Sequence, residues 1–351
     1  MLAQGYGTLR VSAWEGIKHF DFKKCMEKVL DVKELRTNFY TDEGVVKAVD
    51  RLSYHVNKGE CVGLVGESGC GKSVSAISIL RLIPYPPGVI EGGEILFKNE
   101  DLLEVSEKRI QEIRGNKISM IFQEPSTSLN PVLSVQRQLT ESLELHRGMS
   151  KVDAKAESVR LLDLVEIPDS DRRVMDYPHQ FSGGMQQRIM IAMALSCSPE
   201  LIIADEPTTA LDVTVQAQIL ELIAEMRERV GTAVLIITHN LGVVARYVER
   251  LNVMYAGSLV ESGPTDVLYA KPKHPYTIGL LRSVPRLDKP KSKVMEVIEG
   301  MPPNLANLPV GCPFAERCSY VMPQCREEKP ELKEVDDRHF SACFYDPNKL
   351  S

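Results

Sequence analysis

Short, uninterrupted apolar runs set the pattern of this chain. "ECVGLVG" (60–66), "KISMIFQ" (117–123), "ELIIADE" (200–206) and "TAVLIITH" (232–239) lack the alternation of a strand with one wet face. Runs of that kind fit strands buried on both sides, as in parallel sheets covered by helices. Helical periods fall between them: "SVSAISILRLI" (73–83) carries one apolar face, and "MQQRIMIAMAL" (185–195) is a second helical run. Upstream, "MEKVLDVKELRTNFY" from Met26 predicts a first strand. Strands alternating with helices predict an α/β fold with a parallel sheet.

Two departures divide the chain. Between 134 and 180 the pattern is wholly helical ("SVQRQLTESLELHRG", "SKVDAKAESVRLLDLVEI"), which predicts an inserted helical subdomain at about 129–184 that adds no strand. After about 262 prolines become dense ("GPTDVLYAKPKHPYT", "GMPPNLANLPVGCP"), marking a separate, loop-rich module over 263–351. Residues 1–28 show no period and hold the only Trp; residues 1–25 are expected to be an upstream extension or a mis-called start, with an ordered cap as the alternative. The central unit is then 29–262.

Composition narrows the function. Hydrophobic residues make up 43% of 351, enough for a sizeable core. A net charge of −6, with acids and bases mixed along the chain, argues against a nucleic-acid partner. No apolar run approaches the roughly 18 residues that span a bilayer. The first residues lack a basic segment followed by an apolar one, so the cytosol is the expected compartment.

"GESGCGKS" (Gly66, Glu67, Ser68, Gly69, Cys70, Gly71, Lys72, Ser73) stands between a predicted strand and a predicted helix, and these residues with Val74 are the expected nucleotide contacts. Glycines let such a loop wrap phosphates so that backbone N–H groups point inward at the helix N-terminus. Lys72 supplies a point charge for the β and γ phosphates, and the Ser73 hydroxyl suits Mg²⁺. This predicts a nucleoside triphosphate site. Cys70, inside the loop, is expected to make the site sensitive to alkylation.

Further chemistry lies at the ends of the other runs. Asp205 is placed to hold Mg²⁺ through water, and Glu206 to orient and deprotonate an attacking water. His239 and Gln123 each end a strand and by themselves say little. "FSGGMQQR" (181–188) adds a second helix N-terminus preceded by Ser182, Gly183 and Gly184. One nucleotide does not easily use two such loops from one subunit, whereas two subunits facing head to tail would.

In this order, the phosphate loop, Gln123, Ser182-Gly183-Gly184, Asp205-Glu206, the "TTALD" turn ending at Asp212, and His239 resemble the motifs of an ATP-binding cassette (ABC) ATPase. The resemblance implies a P-loop NTPase fold with a RecA-like sheet core, in which two cassettes sandwich two ATP molecules and hydrolysis reopens them. By the same resemblance Glu206, His239 and Gln123 are catalytic, and Gln123 joins Ser73 and Asp205 at Mg²⁺. Adenine is expected on Phe39 or Tyr40. Phe181 and Met185 replace the commoner Leu and Gln at the ends of the signature.

"FQEPSTSLNPV", "KHPYTIGLLRSVP" and "GMPPNLANLPVGCPFAERCSYVMPQC" are similar to ATPase subunits of dipeptide and oligopeptide importers. That similarity implies two transmembrane permease subunits, a second cassette chain (identical or a paralogue), an extracytoplasmic binding protein, and a peripheral place on the cytoplasmic face of the membrane. The same machine importing nickel or oligosaccharides is an alternative, and a soluble non-transport cassette ATPase a more distant one.

Cys312, Cys318, Cys325 and Cys343 lie at intervals of 6, 7 and 18 residues. A reducing compartment disfavours disulfides, and no interval is the two-residue spacer of zinc knuckles. The residues alone leave an iron–sulfur cluster, zinc, disulfides and chance open. The peptide-importer resemblance implies a four-iron, four-sulfide (4Fe–4S) cluster, with zinc as the alternative.

Overall fold

The computed structural model describes residues 27–208, 213–283 and 298–345. The expectations for residues 1–25 and for Asp212 lie outside these residues.

Strands β1 (Lys28–Thr41), β2 (Gly44–Asn57), β4 (Gly88–Phe97) and β5 (Glu100–Asp101) form an antiparallel sheet in the order β2-β1-β4-β5. The second sheet runs β11-β12-β10-β9-β3-β8-β7-β6. Its members are β3 (Cys61–Val65), β6 (Ile118–Ile121), β7 (Leu201–Asp205), β8 (Ala233–Thr238), β9 (Arg250–Tyr255), β10 (Ser258–Pro264), β11 (Lys333–Asp336) and β12 (His339–Ser341). From β9 to β6 the pairing is parallel, as the apolar runs predict.

The sheet is mixed rather than purely parallel, because β9 turns back into β10 as a hairpin. Ala256 and Gly257 both take positive φ (45° and 83°), the geometry of a two-residue turn that matches strand twist. β12 then pairs with β10, Glu261 opposite Ser341. The boundary expected at 262 therefore falls inside a strand, and the chain beyond it extends the central sheet.

The buried strands divide their side chains between two cores, as a period of two dictates. Val62, Leu64, Leu201, Ile203, Leu235 and Ile237 face the antiparallel sheet and α1 (Lys72–Ile79). Cys61, Val65, Ile202, Ala204, Val234 and Ile236 face the other core. That core gathers the inserted helices, α8 (Val213–Val230), and apolar residues of the C-terminal segment such as Tyr276 and Phe314.

α1 ends at Ile79, before the expected 83, because Leu80 leaves the helix and Arg81 turns left-handed (φ 52°). The Arg114 guanidinium then takes the carbonyls of Leu80 (2.8 Å) and Arg81 (3.1 Å). α2 (Glu107–Ile113) precedes β6. The insertion comprises α3 (Pro125–Ser128), α4 (Val135–Arg147), α5 (Lys151–Leu164), α6 (Ser170–Arg173) and α7 (Gly183–Leu195). Ser134, Ser150 and Ser182 cap α4, α5 and α7 by accepting a backbone N–H three residues on. α9 (Leu241–Val244), α10 (Thr265–Ala270), α11 (Pro275–Arg282) and α12 (Pro323–Glu327) complete the helices named here. No helix among the described residues is long and apolar enough to cross a membrane.

Candidate functional site

The loop 66–73 joins β3 to α1, as expected. Gly71 stands at the helix entry with φ 101°, and a Cβ there would lie 2.0 Å from the Ala48 carbonyl oxygen, so only glycine fits. The β9–β10 hairpin supports the loop through a bond from Gly257 N–H to the Cys70 carbonyl (3.0 Å). Lys72 is buried, and its Nζ donates to the carbonyls of Gly66 and Glu67, both at 2.9 Å. These bonds curl the loop around the ammonium that is expected to meet phosphate.

Cys70 does not suit the role expected of it. It is only 6% exposed, and burial pushes its thiol up despite the nearby Lys72, so it is a poor nucleophile.

Ser73 Oγ donates to Asp205 Oδ1 at 3.0 Å, bringing together the two expected Mg²⁺ residues from β3–α1 and the end of β7. Burial raises the Asp205 carboxyl; the Ser73 bond opposes this and the neighbouring Glu206 charge adds to it. An all-oxygen donor set with a desolvated carboxylate fits Mg²⁺, whose charge would offset that cost.

Glu206 is 7% exposed, in the left-handed region at φ 45°, with its N–H on the Ile237 carbonyl (2.8 Å). Such backbone strain in a non-glycine residue is common where function demands a side-chain direction. Its two carboxylate oxygens are held separately. Gln123 Nε2 donates to Oε2 at 3.0 Å, and His239 Nδ1 lies 3.1 Å from Oε1. Three residues that follow β6, β7 and β8, up to 116 positions apart in sequence, thus meet at one carboxylate.

The Ser182-Gly183-Gly184 motif opens α7 with Ser182 and Gly183 exposed, and a Cβ at Gly183 would meet nothing within 4 Å. A Cβ at Gly184, by contrast, would come within 3.2 Å of Val215. Arg173 explains the unusual flanks: its guanidinium lies 4.4 Å from the centre of the Phe181 ring and 3.7 Å from the Met185 sulfur. Phe39 and Tyr40 are consecutive on β1 and so point to opposite faces. Phe39 packs where a Cβ on Gly88 would come within 2.9 Å of its ring, while Tyr40 is half-exposed with its hydroxyl on Glu91 (2.5 Å).

The four C-terminal cysteines line one pocket, together with His274 and Phe314. They are free thiols. Burial pushes Cys312 up to about 11 and Cys343 up to about 12, and the other cysteines of the pocket add to both. Backbone N–H groups of Tyr320 and Tyr345 donate to the sulfurs of Cys318 and Cys343, each at 3.4 Å. Among the described residues, no group of three or more His, Cys, Asp or Glu is arranged to hold a metal ion.

Sequence reasoning missed two residues that hold the phosphate loop. Tyr276 Oη accepts the Glu67 N–H at 2.8 Å, and Arg317 pairs with the Glu67 carboxylate at 2.7 Å. Neither belongs to a local pattern; both reach the loop from more than 200 residues away.

Comparison with known proteins gives the same picture. The family model "ABC transporter" matches residues 49–209, and the model "Oligopeptide/dipeptide transporter, C-terminal region" matches 260–325. A probable peptide ABC transporter ATP-binding protein of Sinorhizobium fredii is 52% identical over 90% of this chain and 94% of its own. The oligopeptide transport ATP-binding protein OppD of Bacillus subtilis is 50% identical over 89% of this chain and 87% of its own. Among solved structures, a dimeric ATP-binding cassette in a post-hydrolysis state, bound to ADP and Pi, matches with a TM-score of 0.61 at 28% identity. It covers 67% of this chain and 98% of its own. The chain belongs to the ABC transporter ATPases, with an oligopeptide/dipeptide transporter C-terminal region following its cassette.

Proposed function

We propose that the chain is the ATP-hydrolysing subunit of a membrane importer for di- and oligopeptides. The observation that carries hydrolysis is the Glu206 carboxylate fixed between Gln123 and His239 beside the phosphate loop. The match to the peptide-transporter C-terminal region supports the cargo class.

In this reading Lys72 exchanges its loop carbonyls for the β and γ phosphates of ATP. Ser73, Asp205 and Gln123 would hold Mg²⁺, which would supply positive charge against that developing on the phosphates. Glu206 accepts the proton of the attacking water, with Gln123 and His239 keeping the carboxylate aimed. The exposed Ser182-Gly183-Gly184 entrance of a second cassette chain supplies N–H donors to the γ-phosphate, and Asp212 is proposed to serve nucleotide binding. Adenine stacks on Phe39 or Tyr40. Closure of the dimer is transmitted through the segment after Gln123 and the helical insertion to two permease subunits. These receive cargo from an extracytoplasmic binding protein, so the chain works on the cytoplasmic face of the membrane.

Cys312, Cys318, Cys325 and Cys343 are proposed to hold a 4Fe–4S cluster. Buried thiols that raise one another need a positive centre to be held as thiolates, and N–H donors on two of the sulfurs favour that charge. A cluster held there would supply that centre and would staple the proline-rich segment.

The test reconstitutes the chain with its permeases and binding protein in vesicles. Wild type is expected to import peptides with ATP, while Glu206→Gln binds ATP but loses roughly 10²–10⁴-fold in turnover. A Glu206→Gln protein with normal turnover overturns the catalytic assignment. A complex whose bound cargo, by mass spectrometry, is not peptide overturns the cargo. About four irons and four sulfides per chain in protein purified without oxygen supports the cluster; one zinc without sulfide refutes it.

A further inference from the structure

The phosphate loop and the four-cysteine pocket are joined by one short chain of contacts. Arg317 immediately precedes Cys318, and its side chain is only 6% exposed. Nη1 donates to Glu67 Oε2 at 2.7 Å and Nη2 to Glu67 Oε1 at 3.0 Å, a two-pronged pair. The other donors reach the Tyr255 hydroxyl (3.3 Å) and the carbonyls of Glu299 (3.1 Å) and Ile298 (3.3 Å). All five N–H groups of the guanidinium are thereby engaged.

Glu67 is equally constrained on the loop side. Its N–H donates to Tyr276 Oη, and its carbonyl accepts Lys72 Nζ, the group that must turn to phosphate. Aromatic rings continue the link: the centre of the Phe314 ring, which lines the cysteine pocket, lies 5.3 Å from that of Tyr255 and 5.4 Å from that of Tyr276.

The electrostatics give this link a purpose. Glu67 places a carboxylate in a loop that must accept a highly negative triphosphate. Unpaired, it would repel the ligand; paired with Arg317, its charge is offset. Lysine would offer the charge without the fork.

We propose that Arg317 is a positioning residue through which the four-cysteine segment sets the affinity of the phosphate loop for ATP. Coupling between two sites is reciprocal, so bound ATP steadies the cysteine segment in return. The inference rests on reading the loop as an ATP site, and not on which metal the cysteines hold.

The test uses the full chain as wild type, Arg317→Lys, Arg317→Gln and the double variant Glu67→Gln/Arg317→Gln. Mg·ATP affinity, KM against kcat, and nucleotide-free Tm are measured for each. Arg317→Gln is expected to weaken Mg·ATP binding roughly 5- to 50-fold, within the usual range for coupled sites, with KM moving more than kcat. Arg317→Lys recovers part of the loss, and the double variant recovers more because no carboxylate is left unpaired. In metal-free chain, Mg·ATP slows modification of the C-terminal thiols by an aromatic disulfide reagent in wild type and not in Arg317→Gln. Iron-loaded chain shows the same contrast in iron loss to a chelator.

Equal ATP affinity in wild type and Arg317→Gln overturns the proposal. So does a thiol-modification rate in wild type that ATP leaves unchanged. A double variant as weak as Arg317→Gln, with the same loss of Tm, reduces Arg317 to a fold contact and also overturns it. Absence of iron in the purified chain refutes the cluster alone, because the thiol measurement runs without metal.

Discussion

At the nucleotide site, the functional side chains leave the ends of buried strands. Lys72 and Ser73 follow β3, Gln123 follows β6, Asp205 closes β7 and His239 follows β8. Their positions are set by a parallel ladder running through two cores. The C-terminal segment contributes strands of only four and three residues, and its cysteines lie in loops or on the single-turn α12. There the geometry depends on a few buried polar side chains. Glu261 is one: fully buried, it accepts from Lys273 N–H (2.6 Å), His274 N–H (2.9 Å) and His339 Nε2 (2.7 Å). Arg317 is another. A site at strand ends tolerates the loss of any one side chain without losing its frame, whereas a frame made of polar hubs does not.

Removing a hub should have the largest effect. Glu261→Ala leaves three buried donors without an acceptor, and about 3–5 kcal/mol of stability should be lost. Denaturant unfolding measures the cost, and limited proteolysis locates it: cleavage after residue 264 should precede any in β3, β7 or β8. A loss below 1 kcal/mol, or a first cut in the central strands, would show that the C-terminal segment has a frame of its own.

The same contrast governs what could be read from sequence. Buried runs with no polar interruption, such as those of β3, β7 and β8, were legible because burial on both faces leaves no other composition. Their ends hold the residues proposed to bind Mg²⁺ and to activate water. The antiparallel sheet beyond β1 was not legible. Glu34 and Arg51 take positive φ, and the β1–β2 register shifts repeatedly, which breaks the period of two that marks a strand. The four cysteines announced a site, yet nothing local ties Arg317 to Glu67, 250 positions away. Pairings of that kind are consequences of the fold and leave no periodic trace.

A second test asks whether the antiparallel sheet behaves like the frame or like the hubs. Burial pushes His55 on β2 down to about 4; Arg250 and Lys28 reinforce this, while Glu60 and Asp31 oppose it. A depressed folded value means that the unfolded chain binds more protons between about 4 and the ordinary 6.5. Stability is therefore full above 6.5 and falls as pH drops through that window. With partial exposure screening the effect, about 1–2 kcal/mol should go, read from urea unfolding at pH 7 and pH 4.5. His55→Gln should flatten the dependence. An unchanged slope in that variant would place the acid sensitivity elsewhere.

The smallest effect expected is the most telling about the nucleotide site. Burial raises Asp205 above the ordinary carboxylate value, so the folded chain binds more protons there than the unfolded one. Without metal, that carboxylate costs stability as pH rises through its raised value. Asp205→Asn removes the charge and keeps an acceptor for Ser73, so the nucleotide-free variant should unfold at a higher temperature, by roughly 2–4 °C. Mg·ATP should then add less stabilisation to it than to wild type, and hydrolysis should fail. A stabilised but inactive variant identifies Asp205 as a residue kept for its ligand at the expense of the empty fold. A destabilised one would mean that the Ser73–Asp205 contact belongs to the frame, and that the strand-end site shares the dependence on single side chains seen in the C-terminal segment.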